Sequence, residues 1–186
     1  MAISFSKQPS GGTVYRGASK TMSCSATSSD GSALYYSWFR NGSSFGSGSS
    51  VRANTSVVGT ASYYCKVVET SGGASRESNT AYLTVLATPV PVLDNPSGVT
   101  DKNCYLGDTF SFNASATVEK GTLSYQWQRS LTTSSWDSVA TTATYTPPTN
   151  TISTYYYRCV VTNTLNGYTA TTITNVGQVT VSDIPS

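Results

Sequence analysis

The sequence predicts an all-β protein built of two β-sandwich domains in tandem. Three observations carry that expectation: a composition rich in Tyr, Ser and Thr but poor in charge, a period-two alternation of apolar residues, and an internal repeat of about 90 residues. Charged residues make up only 11% of the 186-residue chain, and there are 13 Tyr. That mixture suits twisted strands with hydroxyl-bearing solvent faces rather than helices. The length accommodates two domains of about 100 residues each.

The same composition narrows the function. With 11 Lys+Arg against 9 Asp+Glu the net charge is +2, too small and dispersed for nucleic acid or anionic lipid. No run approaches the roughly 20 apolar residues of a membrane span, and the N-terminus lacks the charged and apolar regions of a signal peptide. The chain therefore reads as a mature segment or an excised fragment, with Met1 as an expression start. Four Cys without a CxxC pair, in a chain with no His, point to disulfides rather than zinc. Disulfides imply an oxidising compartment. The lack of His removes Ser-His-Asp and Cys-His nucleophiles, and no carboxylate or Lys/Arg spacing suggests catalysis. The expectation is no enzyme, no cofactor and no metal.

The repeat is explicit. Gly17, Ser23-Cys24-Ser25-Ala26-Thr27, Tyr36-Ser37-Trp38-Phe39-Arg40, Tyr63-Tyr64-Cys65-Lys66-Val67-Val68 and Tyr82-Leu83-Thr84-Val85 form the first copy. Gly107, Asn113-Ala114-Ser115-Ala116-Thr117, Tyr125-Gln126-Trp127-Gln128-Arg129, Tyr157-Arg158-Cys159-Val160-Val161 and Gln178-Val179-Thr180-Val181 form the second. Alternation puts Met22, Cys24 and Ala26, then Leu34, Tyr36 and Trp38, then Tyr63, Cys65 and Val67 on core-facing sides of three strands. Phe110, Phe112, Ala114 and Ala116, then Tyr125 and Trp127, then Tyr157, Cys159 and Val161 are the counterparts. Turn-rich stretches at 28–32, 41–50, 71–75 and 163–167 separate strands of sandwich spacing.

Cys24, Trp38 and Cys65 resemble the Cys-Trp-Cys core of the immunoglobulin superfamily, and Tyr63, two residues before Cys65, resembles its tyrosine corner, with Tyr157 as counterpart before Cys159. The second copy departs from the pattern. Its position equivalent to Cys24 is Ala114, and its extra cysteine, Cys104, corresponds to Val14. Cys104, Gly107, Phe112, the Tyr125–Gln128 block, Trp136 and the Tyr157–Val161 block resemble the immunoglobulin-like repeats of large bacterial secreted and surface proteins. The resemblance implies two tandem immunoglobulin-like domains with one bond in each, Cys24–Cys65 and Cys104–Cys159, rather than crosswise pairing.

The first strand set ends near Val85 or Leu86, and the three prolines from Ala87 to Pro96 argue against a central strand. The expected domains are 1–87 and 88–186, joined by a stiff Pro-rich linker at about 87–96 in an elongated tandem. The exit 180–185 repeats 84–89, so a further domain is expected to follow.

Alternation also assigns the outer faces. The first domain presents Tyr35, Ser37, Phe39, Tyr64, Lys66 and Val68, and the second Gln126, Gln128, Tyr156, Arg158 and Val160. Exposed aromatics are common anchors of protein interfaces, so the first face is the preferred binding site. The plainer account is strand propensity, with a neighbouring strand or domain covering part of it. Loops are the other candidates: Phe45 within 41–50, which can also tuck under its own loop, and Arg76 within 71–77. Asp94, Asp101 and Asp108 lack calcium-ligand spacing, and sequons at Asn41, Asn54 and Asn113 are expected by chance.

Three functions follow. The first is an adhesion module, a monomer within a longer array on a bacterial surface, engaging a host or cell-surface protein, immunoglobulin or a receptor among the options. The second is a structural spacer. The third is a carbohydrate-binding accessory module. A spacer calls for covered or singly scattered aromatics, a protein binder for a contiguous patch, and a sugar binder for coplanar rings.

Overall fold

The computed structural model describes residues 2–70, 73–94 and 98–185. The chain divides into two compact units, 1–87 and 88–186, each a two-layered immunoglobulin-like β-sandwich.

The first domain has strands β1 (Ile3–Lys7), β2 (Gly12–Tyr15), β3 (Thr21–Ser23), β4 (Ser25–Ser28), β5 (Leu34–Arg40), β6 (Ser43–Ser47), β7 (Ser50–Arg52), β8 (Gly59–Glu69), β9 (Ser75–Glu77) and β10 (Ala81–Leu86). One layer is the sheet β2-β10-β8-β5-β6, with β9 also paired to β8; β1–β4 and β3–β7 supply the other. Period-two alternation decides which side chains fill the space between. Along β8, Ala61, Tyr63, Cys65, Val67 and Glu69 are buried while the residues between them are not. The four of these other than Glu69 pack with Ile3, Met22, Cys24, Trp38, Ala53, Leu83 and Val85 to make the core.

The second domain repeats this with β11 (Val92–Leu93), β12 (Lys102–Tyr105), β13 (Phe112–Asn113), β14 (Ala116–Thr117), β15 (Thr122–Ser130), β16 (Asp137–Ala140), β17 (Thr144–Tyr145), β18 (Ser153–Leu165), β19 (Tyr168–Ile173) and β20 (Gly177–Ser182). Its main sheet runs β12-β20-β18-β15-β16, with β19 paired to β18. The correspondence holds at single-residue register: Trp38 faces Cys65 across β5 and β8, and Trp127 faces Cys159 across β15 and β18. Each indole N–H donates to a carbonyl, Trp38 to Gly48 and Trp127 to Thr142, both at 2.9 Å. Each cysteine N–H is taken by a hydroxyl where the last strand breaks, Ser78 for Cys65 and Thr174 for Cys159.

The two cores differ where the sequence copies differ. Phe112 replaces Met22 and stacks on Trp127 at 5.9 Å, with Tyr145 on the same indole at 5.9 Å and Tyr157 against Phe112 at 5.9 Å. This aromatic cluster fills the interior in which Ala114 stands where the first domain has Cys24.

The expected Cys104–Cys159 bond is corrected by the register. Cys104 is level with Val181, and Val181 with Ser153. Cys159 lies six residues further along β18, two strands away in the same sheet. At about 3.3 Å per residue the separation is roughly 20 Å, whereas bonded cysteines need Cα atoms within about 7 Å. Cys104 does take the place of Val14: the two stand opposite Val181 and Val85 in equivalent parallel pairings. Cys24 and Cys65, by contrast, meet in the first core, but as free thiols in hydrogen-bond contact rather than as the expected bond.

Within the Pro-rich stretch 87–96, Thr88 and Pro91 are buried and Val92–Leu93 pair with Ala116–Thr117, so these residues form the leading strand of the second domain. Asn163, fully buried, holds this segment by donating to the carbonyls of Pro89 and Lys120 at 2.8 and 2.9 Å. Pro96 lies outside the described residues.

Candidate functional site

The outer face of the first domain's main sheet is built by cross-strand pairing. Register sets Phe39 opposite Tyr64, Ser37 opposite Lys66, and Tyr35 opposite Val68. Side chains opposite one another in an antiparallel pair point to the same side and touch. Phe39 and Tyr64 do so as a parallel stack, ring centroids 4.9 Å apart and planes 6° from parallel. Tyr82, 63% exposed, stands opposite Ser62 on β10 and is therefore the diagonal neighbour of Tyr64. Tyr35, 55% exposed, sits at the other end of the face beside Val68. Between the two apolar groups runs a polar row, Ser37, Lys66 and, on β9, Glu77. Aromatic groups thus gather on three adjacent strands around a charged centre.

The other candidates have structural partners. The stretch 41–50 is a hairpin rather than a loop: Asn41 (φ 48°) and Gly42 (φ 80°) form the turn into β6, the two left-handed residues of a type I′ connection. Phe45, next to the irregularity in the β5–β6 register, turns inward and packs edge-on against Tyr63 at 5.5 Å. This is the inward alternative for Phe45, reached from a hairpin strand rather than from a loop. Arg76 Nη1 donates to the Ile3 carbonyl at 2.8 Å, tying β9 to the opposite layer. Ser71 and Gly72 of the loop 71–77 lie outside the described residues. Tyr63, fully buried, accepts the Asn54 N–H at 3.1 Å through its hydroxyl.

The acidic residues weighed for calcium are engaged separately. Asp94 accepts from the Ser115 hydroxyl at 2.6 Å, Asp101 from the Gln178 N–H and Asp108 from the Tyr105 N–H, both at 2.8 Å. Among the described residues no group of three or more His, Cys, Asp or Glu gathers as a metal site. An acidic contact that alternation alone did not single out lies at the end of β8: Glu69, 1% exposed, and Asp30 each lie 2.6 Å from the Ser28 hydroxyl. That hydroxyl, with the Ser32 N–H, holds the Asp30 carboxyl down at about 2. Glu69 also accepts the Ala74 N–H at 2.9 Å. A charged residue in an inward register position was the available signal.

On the second domain the equivalent positions carry different chemistry. Gln128 and Arg158 replace Phe39 and Tyr64, and Arg158 Nε donates to Gln128 Oε1 at 2.8 Å while its guanidinium lies 4.0 Å from the Trp136 ring centroid. Gln126 donates to the Ala140 carbonyl at 3.0 Å. Val160 stands opposite Ile173, and Tyr156 opposite Gln178.

Residues 99–183, most of the second domain, match a family model described as a domain of unknown function (DUF8696). No curated protein matches the chain. Among solved structures it is similar to the titin domains z1z2 in complex with telethonin (15% identity, 100% of this chain and 98% of that one, TM-score 0.46). It is also similar to the three N-terminal domains of the bacteriophage RB49 Highly Immunogenic Outer Capsid protein (12%, 98% and 70%, 0.42) and to the fibronectin(III)-like modules of Clostridium thermocellum CbhA (11%, 98% and 95%, 0.40).

Proposed function

We propose that this chain is a non-catalytic, extracellular adhesion module of a bacterial surface protein, engaging a host or cell-surface protein through the first domain. The observation that carries this reading is the grouping of Phe39, Tyr64 and Tyr82 on one open sheet face, with Tyr35 beyond Lys66. Exposed aromatic residues are the usual anchors of a protein interface, and the equivalent positions of the second domain do not reproduce them. Strand propensity alone would place aromatics on both copies. Cys24 and Cys65 are adjacent free thiols in the first core, a pair that the oxidising extracellular setting of this reading would close as one disulfide.

The rings of this face argue against its serving as a sugar platform. A pyranose platform needs aromatic faces in a common plane, whereas Phe39 and Tyr64 cover one another's faces as a parallel stack.

The test is capture from host secretions and cell-surface extracts with the parent chain and a Tyr35→Ala, Phe39→Ala, Tyr64→Ala variant whose fold is verified by circular dichroism. Retention of a discrete protein by the parent alone is the expected result. Retention by both moves the site away from this face, and retention by neither favours the spacer.

A further inference from the structure

The second domain carries one elaboration that the first lacks. Where Asn41 and Gly42 alone connect β5 to β6, the loop 131–136 connects β15 to β16. This loop is internally tied. The buried Ser130 hydroxyl accepts the N–H groups of Thr132 and Thr133 at 3.2 and 2.9 Å, and the Trp136 indole donates to the Thr133 carbonyl at 3.0 Å. Thr133 takes a left-handed φ of 65°. On its outer side Trp136 is clamped by Arg158. The loop is thus held in one shape without a ligand, which lowers the ordering cost of binding one.

Beside it lies a cavity of about 320 Å³, lined by Arg129, Leu131, Thr132, Ser135, Asp137 and Tyr155. That volume is at the lower end of the ~300–1,000 Å³ of small-molecule sites and matches a single ring-sized ligand. The lining combines one guanidinium and one carboxylate, drawn from residues opposite each other across β15 and β16, so it favours neither an anion nor a cation. Arg129 offers donors, Asp137 acceptors, and the Thr132 and Ser135 hydroxyls either. Leu131, 67% exposed, adds an apolar wall, while the Tyr155 face is occupied by Arg129 at 4.4 Å. Arg129 Nε is buried without a partner, but so is Arg40 Nε in the first domain, and that feature belongs to the repeated fold.

We propose that this cavity is a subsite for one neutral sugar residue, recognised through its hydroxyls by Arg129, Asp137 and Ser135, with its C–H face on Leu131. The site is separate from the aromatic face of the first domain and stands or falls without it. The experiment is a two-dimensional amide NMR titration of the full chain with the methyl glycosides of glucose, galactose, mannose and N-acetylglucosamine, with sodium acetate and tetramethylammonium chloride as charged controls. At least one glycoside is expected to shift amides of 129–137 and 155 saturably, and Asp137→Ala to weaken that response at least about tenfold with the rest of the spectrum unchanged. The proposal is overturned if no glycoside shifts these amides, if the shifts cluster elsewhere, if Asp137→Ala responds like the parent, or if only a charged control saturates.

Discussion

Phe39 and Tyr64 stack across β5 and β8 with their planes 6° apart, on the solvent side of the strands whose inner side carries Trp38 against Cys65. One register therefore fixes both core and surface: a slip of one residue would move the aromatic pair inward and the indole out. A ring pair of this kind contributes about 0.5–1.5 kcal/mol beyond its burial. A double-mutant cycle of Phe39→Ala and Tyr64→Ala in urea is expected to give a coupling energy in that range, and additive single effects would mean that the stack does not persist in solution.

Cys24 and Cys65 lie side by side as free, hydrogen-bonded thiols, whereas Cys104 and Cys159 stand apart. A non-reducing peptide map of protein made under oxidising conditions is expected to link Cys24 to Cys65 and to leave Cys104 and Cys159 as thiols that alkylate only after unfolding. Burial raises all four thiols above their ordinary range, so they react slowly while folded. Removing the bond by Cys24→Ala with Cys65→Ala should cost about 4 kcal/mol by the chain-entropy model. Cys104→Ala and Cys159→Ala should be additive, as distant sites are.

Much of this architecture was legible in the residues because alternation and repetition are local signals. The Cys24, Trp38 and Cys65 pattern and its copy at Ala114, Trp127 and Cys159 located equivalent strands to the residue, and even the match of Cys104 to Val14 holds. The match to Val14 sets Cys104 apart from the Cys24 position, and the bond to Cys159 rests on the resemblance alone and is not permitted by the register. Asn41-Gly42 and Asn166-Gly167 are hairpin signals within the turn-rich stretches, and the first of them decides between the two placements of Phe45 by putting it in a strand whose register turns it to the core. Arg76 was harder, since its partner, the Ile3 carbonyl, is a long-range contact that no local pattern reveals. The outer face emerged residue by residue, but Tyr82 required the pairing of a third strand.

Phe45 offers a direct check on its inward placement. As a core-packed ring it should make Phe45→Ala destabilising by a few kcal/mol, up to the roughly 3–5 kcal/mol of a full Phe truncation, whereas a loop residue would change little. Urea denaturation followed by the amide NMR signals of the first domain distinguishes the two.

Alkaline stability of the second domain should depend on Tyr157. Burial pushes its hydroxyl up to about 12 from an ordinary value of 10.0. The native state then keeps a proton that the unfolded chain releases, so this contribution is intact below pH 10 and is lost as pH rises toward 12. Tyr157→Phe should flatten the fall in melting temperature across that window, and an unchanged slope would assign the fall to other groups.

The most direct measurement of the central claim is the equilibrium affinity of the captured protein for the parent chain and for two paired variants at equivalent positions, Phe39→Ala with Tyr64→Ala in the first domain and Gln128→Ala with Arg158→Ala in the second. Loss of about 2 kcal/mol or more, roughly thirtyfold, from the first pair and little from the second is the expected result. Equal affinities for all three, or loss only from the second pair, would contradict a partner site on the first domain's aromatic face.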